Sequence, residues 1–115
     1  MRHMLDAAKE ALSFLDGRTE ADLLRDRMFL LALIKEIEII GEAATHISEE
    51  SRKNIPEVPW RGIVAMRNRL IHAYADVELV IVWETVTASL PALVRELERA
   101  LDFFRPASVT RSLSF

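Results

Sequence analysis

The stretch "LLALIKEIEIIGEAATHI", residues 30–47, decides the fold of this chain. Its apolar residues recur at alternating steps of three and four, the spacing of one helical face. They are Leu30, Leu33, Ile37, Ile40, Ala44 and Ile47. The pattern predicts a long helix over roughly residues 20–48, capped at its start by Thr19. Gly41 lies inside this helix, where glycine costs about 1 kcal/mol relative to alanine, so we expect close backbone packing there.

The same helical spacing precedes and follows this stretch. A first helix is predicted by Met4, Leu5, Ala8, Leu12 and Leu15, with Gly17 as its C-terminal cap. The segment "SEESRKNIPEVP", residues 48–59, is predicted to be a polar loop. Pro59 is well placed to start a third helix over residues 60–74.

The C-terminal part of the chain continues the helical pattern. Asp76 is predicted to cap a fourth helix, which Pro91 should kink or break. We therefore expect an all-α protein, an antiparallel four-helix bundle whose last helix is broken near Pro91. Its helical domain should span residues 1–104, and residues 105–115 should form a tail.

Composition excludes several classes of function. The 115 residues fit one domain, and 15 Lys and Arg against 18 Asp and Glu give a net charge of -3, so the whole chain does not indicate nucleic-acid binding. Cysteine is absent, which excludes disulfides, thiolate catalysis and Cys-ligated zinc. The longest apolar run, residues 28–34, is far shorter than the roughly 20 residues that span a bilayer. With no secretory signal at the start, we expect a soluble, cytoplasmic protein.

The apolar content points to a partner. Half of the residues are hydrophobic, and the long helix is apolar on more than one side around residues 28–34. Two-sided burial predicts a homodimer through this region. The alternative is that this helix is simply central in the bundle.

The stretch "MRNRLIHAYADV", residues 66–77, concentrates polar groups that suit phosphate chemistry. On a helix at 100° per residue, Asn68 and His72 share a face, whereas Arg67 and His72 lie about 140° apart. Arg67 and His72 can converge on one pocket only if the helix end unwinds or a second copy supplies the complementary group. The alternative is that these side chains are ordinary surface groups or caps.

These residue types favour metal-free cleavage of RNA. The Arg67 guanidinium could stabilise charge on a phosphoryl group, and His72 could move a proton near neutral pH. Arg61 and Arg69 add local positive charge and are candidates for RNA binding. No cluster of carboxylates accompanies the motif, so we predict no metal and no other cofactor. Glu38, Glu42 and His46 have a spacing that superficially resembles metal ligands, but we interpret them as a solvated polar face or an interface lining.

The segment "RNRLIHAY" resembles the R-x4-H-x-Y signature of HepT-like proteins in the HEPN (higher eukaryotes and prokaryotes nucleotide-binding) superfamily. The resemblance covers about residues 2–104 and includes "IIGEAATHIS" at 39–48, "IPEVPWRGIVAMRNRLIHAY" at 55–74 and "IVWETVTASLPAL" at 81–93. It implies an all-helical homodimer that acts as the toxin of a toxin–antitoxin pair, a metal-independent endoribonuclease. By this resemblance Arg67 and His72 are the catalytic pair, supported by Asn68, in a composite cleft between two protomers.

The resemblance also implies a protein partner. In such pairs the antitoxin resembles a minimal nucleotidyltransferase, which can transfer AMP to the motif tyrosine, here Tyr74. The added bulk and negative charge would silence a site for RNA phosphates. The alternative from another class is a non-catalytic helical adaptor that binds the nucleotidyltransferase and positions its substrate.

Overall fold

The computed structural model describes the backbone of residues 1–72 and 79–103 and the side chains of residues 1–70 and 79–101. These residues are mostly helical and contain no strand, which confirms the all-α prediction for them. The elements are α1 (Arg2–Ser13), α2 (Ala21–Arg25), α3 (Arg27–Thr45), α4 (Glu49–Asn54), α5 (Trp60–His72), α6 (Leu79–Glu84), a π-helical segment (Thr85–Ser89) and α7 (Leu90–Phe103). Among the described helices, none is long and apolar enough to cross a membrane.

Helix α3 is the centre of the packing. It contacts α1 on one side and α5 on the other, and α1 also contacts α7. The predicted apolar face supplies its buried residues, among them Leu33, Ile37, Ile40 and Ala44. Burying each large aliphatic side chain contributes about 1.5–3 kcal/mol, so this face is a main source of stability. The closed, antiparallel four-helix arrangement stays a prediction.

Two boundaries predicted around α3 are wrong. The expected helix over residues 20–48 is interrupted at Asp26, whose backbone is extended (φ -118°, ψ 97°). Asp26 caps α3 by accepting a hydrogen bond from the backbone N–H of Phe29 at 3.1 Å. Thr19 does not act as the expected side-chain acceptor: its hydroxyl and its backbone N–H donate to the Asp22 carboxylate at 3.4 and 2.8 Å.

The predicted loop over residues 48–59 contains helix α4 (Glu49–Asn54). Ser48 caps this helix by accepting a hydrogen bond from the backbone N–H of Ser51 at 3.1 Å, and Glu49 lies in the first turn. A serine followed by acidic residues is a helix-start signal, and here it outweighs the polar character that favoured a loop.

Pro91 does not end the last helix. The chain stays helical from Leu79 to Phe103, and the irregularity is the π-helical segment Thr85–Ser89 immediately before the proline. A proline ring crowds the carbonyl four residues earlier, that of Thr87, so widening the helix there accommodates Pro91 without a break. The Thr87 hydroxyl also donates to the Trp83 carbonyl at 2.7 Å. The Asp76 cap and the tail at 105–115 lie outside the described residues.

Candidate functional site

Helix α5 carries the Arg–Asn–His motif and is fixed at its start by Trp60. This side chain is buried, and its indole N–H donates to the Ile55 carbonyl at 3.1 Å. Leu70 is buried further along the helix, which ends at His72. The two apolar anchors hold the helix against the core, so that Arg67 occupies a fixed position near its C-terminal end.

Arg67 lies at the closest approach of α3 and α5. A Cβ atom placed on Gly41 of α3 would stand 2.6 Å from Arg67 Cγ, and closer still to Arg67 Cβ. Only glycine leaves room for the stem of Arg67 against the α3 backbone, which explains why the helix contains a residue of low helix propensity. The predicted close packing at Gly41 is confirmed.

Glu42, the residue after this glycine, pairs with the Arg67 guanidinium. Arg67 Nη2 lies 3.1 Å from Glu42 Oε2, and the other carboxylate oxygen, Oε1, lies 3.3 Å from His46 Nε2. The Arg67 side chain is only 20% exposed, whereas Glu42 and His46 are largely exposed. One carboxylate thus connects the arginine to an imidazole at the open edge of the α3–α5 contact.

Glu42 is the one ion-pair partner of Arg67 among the described residues. Among the described residues, Arg67 Nε is buried and has no hydrogen-bond acceptor. A guanidinium carries five N–H donors in one plane, and Glu42 contacts one of its terminal nitrogens. Such a group, held in one orientation and still rich in donors, is suited to binding the non-bridging oxygens of a phosphodiester.

The other residues of the predicted site divide into three cases. Asn68 and Arg61 are exposed and line one cavity of about 340 Å³ on the side of α5. Arg69 is exposed and lines neither that cavity nor the larger ones described. The side chain of His72, and Tyr74 as a whole, lie outside the described residues, so the catalytic pairing and the modified tyrosine stay predictions.

Glu42 is the site residue that sequence reasoning missed. Its spacing of four from His46 predicts only a solvated polar face or an interface lining, because the contact with Arg67 depends on how α3 and α5 are aligned. The sequence signal was Gly41, which marks where another helix comes close. Within the described residues, no three His, Asp or Glu side chains converge as they would around a metal ion.

Comparison with known proteins identifies the family. The family described as Ribonuclease HepT-like matches residues 4–100. A Thermococcus cleftensis protein named "Probable ribonuclease HepT" is 35% identical over 99 residues, 83% of this chain and 90% of its own. Proteins of Methanocaldococcus jannaschii and Caldanaerobacter subterraneus, provisionally named as RNases, are each 32% identical, over 83% and 89% of this chain and 87% and 91% of their own lengths. No solved structure matches significantly. With nearly its whole length matched, this chain belongs to the HepT-like family of HEPN ribonucleases.

Proposed function

We propose that this protein is a metal-independent endoribonuclease and the toxin of a toxin–antitoxin pair. Membership of a ribonuclease family supports RNA as the substrate. The observation that carries the proposal is the placement of Arg67, which is mostly buried, paired with Glu42, and five residues ahead of His72 on one helix. An arginine held in this way is prepared to stabilise charge that develops in a transition state.

The reaction follows from these groups. The 2′-hydroxyl of a ribose attacks the adjacent phosphorus, and an imidazole removes its proton. The bond from phosphorus to the 5′-oxygen breaks, and that oxygen receives a proton from a second imidazole. The products carry a 2′,3′-cyclic phosphate and a 5′-hydroxyl. Arg67 neutralises the extra charge on the non-bridging oxygens, and Glu42 keeps the guanidinium oriented.

The site is completed by a second copy of the chain. Arg67 and His72 are about 140° apart on an ideal helix, so a composite cleft lets an arginine and an imidazole from different protomers meet. Two apolar side chains support such a dimer, because Leu24 and Met28 are 79% and 82% exposed in the single chain. A dimer about a twofold axis would also supply the two imidazoles that the reaction uses.

The decisive experiment is RNA cleavage by the purified protein in the presence of EDTA. We expect cleavage to persist, and His72→Ala and Arg67→Ala each to lower its rate by at least about a hundredfold. The matched controls His3→Ala and Arg95→Ala change the same residue types at exposed positions and should cleave normally. Light scattering must show that all variants keep the mass of the wild type. Cleavage that stops with EDTA would disprove the metal-free scheme.

Control by an antitoxin forms the second part of the proposal. A nucleotidyltransferase partner would attach AMP to Tyr74, whose phenolic oxygen attacks the α-phosphate of ATP and releases pyrophosphate. The adenylate then repels and obstructs RNA at the neighbouring motif. With the partner and ATP, the intact mass should rise by whole adenylate units, and Tyr74→Phe should abolish the gain. An unchanged gain in that variant would place the modification elsewhere.

The exposed Leu24 and Met28 also suit a second candidate function, a non-catalytic adaptor that binds the nucleotidyltransferase through this surface. Expression of the chain alone separates the two functions. Growth arrest that His72→Ala relieves supports the nuclease. Harmless accumulation of wild-type protein supports the adaptor.

A further inference from the structure

A basic groove lies between α4 and the side of α5 that carries Arg61 and Asn68. Two adjoining cavities of about 340 and 560 Å³ share Arg52 of α4 and Arg61 of α5 as wall residues. The smaller cavity reaches Asn68 of α5, and the larger one reaches Lys53 in the last turn of α4. We call the surface formed by Arg52, Lys53, Arg61 and Asn68 the basic groove.

The groove is continuous with the candidate catalytic motif. Residues 61, 65, 68 and 72 follow steps of four, three and four, so their positions fall along one side of α5. From residue 61 to residue 72 the helix rises about 16 Å, at 1.5 Å per residue. An extended nucleic-acid strand covers that distance in a few nucleotides, so the groove lies where a strand leaving the reaction centre would pass.

The charge of the groove is not neutralised within the described chain. Four ion pairs between Lys or Arg and a carboxylate occur outside the groove, and their cations are Lys9, Arg18, Arg67 and Arg99. Among the described residues, no carboxylate lies within ion-pair distance of Arg52, Lys53 or Arg61. Glu49 is the acidic side chain in the groove wall, which leaves an excess of two positive charges. In a chain whose net charge is -3, this local excess indicates an anionic ligand.

Arg52 forms a rigid wall of the groove. Its Nη2 donates to the Ala44 carbonyl at the end of α3 at 2.6 Å, and its guanidinium lies 5.7 Å from the centre of the Trp60 ring. Its Nε is buried and has no acceptor among the described residues. Lys53 and Arg61, by contrast, are exposed and free to meet a ligand. A fixed arginine flanked by two adaptable cations is a suitable surface for a chain of phosphates.

We propose that the basic groove binds the phosphodiester backbone of single-stranded RNA on one side of the cleavage position. The inference rests on the proposed ribonuclease function, and it adds a second contact region for the same substrate. The aromatic ring nearest the groove, Trp60, is buried and committed to Arg52 and Ile55, so the groove offers phosphate contacts without a stacking platform. Binding there should therefore depend on charge and salt and not on base sequence.

The test is a fluorescence-anisotropy titration of a labelled uridine homopolymer with the full-length protein. Lys53→Glu and Arg61→Glu should each raise Kd about tenfold at moderate salt. Each should also reduce the slope of log Kd against log salt concentration by about the amount that one phosphate contact contributes. Arg95→Glu on α7 makes the same change in net charge at an exposed position and should leave Kd as in the wild type. A cytidine homopolymer should give the same pattern.

Several outcomes would contradict the proposal that the basic groove binds RNA. An unchanged Kd in Lys53→Glu and Arg61→Glu, or an equal loss in Arg95→Glu, would show that the groove has no specific part in RNA binding. Unchanged RNA affinity with weakened binding to the nucleotidyltransferase would assign the groove to a protein. Because the titration does not depend on cleavage, the two proposals can be tested separately. RNA binding that depends on the groove, without any cleavage, would disprove the nuclease function. Cleavage by a protein whose RNA binding does not depend on the groove would disprove the groove proposal.

Discussion

Glu36 places an ionisable group in the core. It lies on α3, is 4% exposed, and has one carboxyl oxygen without a hydrogen-bond partner among the described residues. Burial, then a hydrogen bond with Glu10, then repulsion from that residue's charge raise the pKa of Glu36 from 4.5 to about 7. The folded protein therefore binds this proton more tightly than the unfolded chain does. The resulting stability is fully present below the unfolded pKa of 4.5 and is lost as pH rises through about 7.

Glu36→Gln should remove this pH dependence. Glutamine keeps the shape and can still donate to Glu10, so we expect the free energy of unfolding at about pH 8 to rise by roughly 1–3 kcal/mol. Urea unfolding at about pH 6 and pH 8 measures the effect, with the exposed Glu20→Gln as the matched control. If the variant lost stability at both pH values, the carboxyl group would be ionised in the folded protein and the assigned pKa would be wrong.

The same scale shows how far the candidate site could be predicted. Arg67 is a candidate from its residue type, because a guanidinium suits phosphate. Gly41 predicts close backbone approach from its position inside a helix. Glu42 did not follow, because a contact between helices depends on their relative rotation and translation, and the 3.6-residue period fixes neither. The residue next to a glycine in a buried helix was the available signal. It becomes specific only once Arg67 is known to fill the space beside Gly41.

At the scale of elements, the apolar periodicity predicted the long helical segments but neither where they begin and end nor the short helix α4. The apolar pattern that begins at Leu30 does not locate the start of α3, which Asp26 sets by accepting a hydrogen bond from the Phe29 N–H. The pKa of Asp26 is lowered, first by the hydrogen bond from Arg18 and next by that N–H, so the charged form favours the break. Caps compete with periodicity wherever a short polar side chain can reach the backbone.

Pro91 illustrates the same limit. The sequence predicted disruption of the last helix, and the structure places a π-helical segment at Thr85–Ser89 and then continues to Phe103. A proline removes one backbone donor and crowds one carbonyl, and a wider helical turn accommodates both effects. The helix continues because the buried side chains of Val86, Leu90 and Leu93 hold both of its halves against the core. Whether the helix continues past the proline depends on the packing energy of the apolar side chains on either side, and the proline residue alone does not indicate that energy.

At the scale of the whole molecule, two exposed apolar side chains favour the proposed dimer. Leu24 and Met28, 79% and 82% exposed, lie on α2 and α3, which contact each other. Met28→Glu should raise the dimer dissociation constant at least about a hundredfold, since two buried methionines contribute about 3 kcal/mol or more. Ser13→Glu adds the same charge at an exposed position on α1 and should leave the dimer intact. Sedimentation velocity measures both. If the wild-type protein were a monomer, the proposal of a composite site would be disproved. If the dimer persisted in Met28→Glu, the interface would lie on another face.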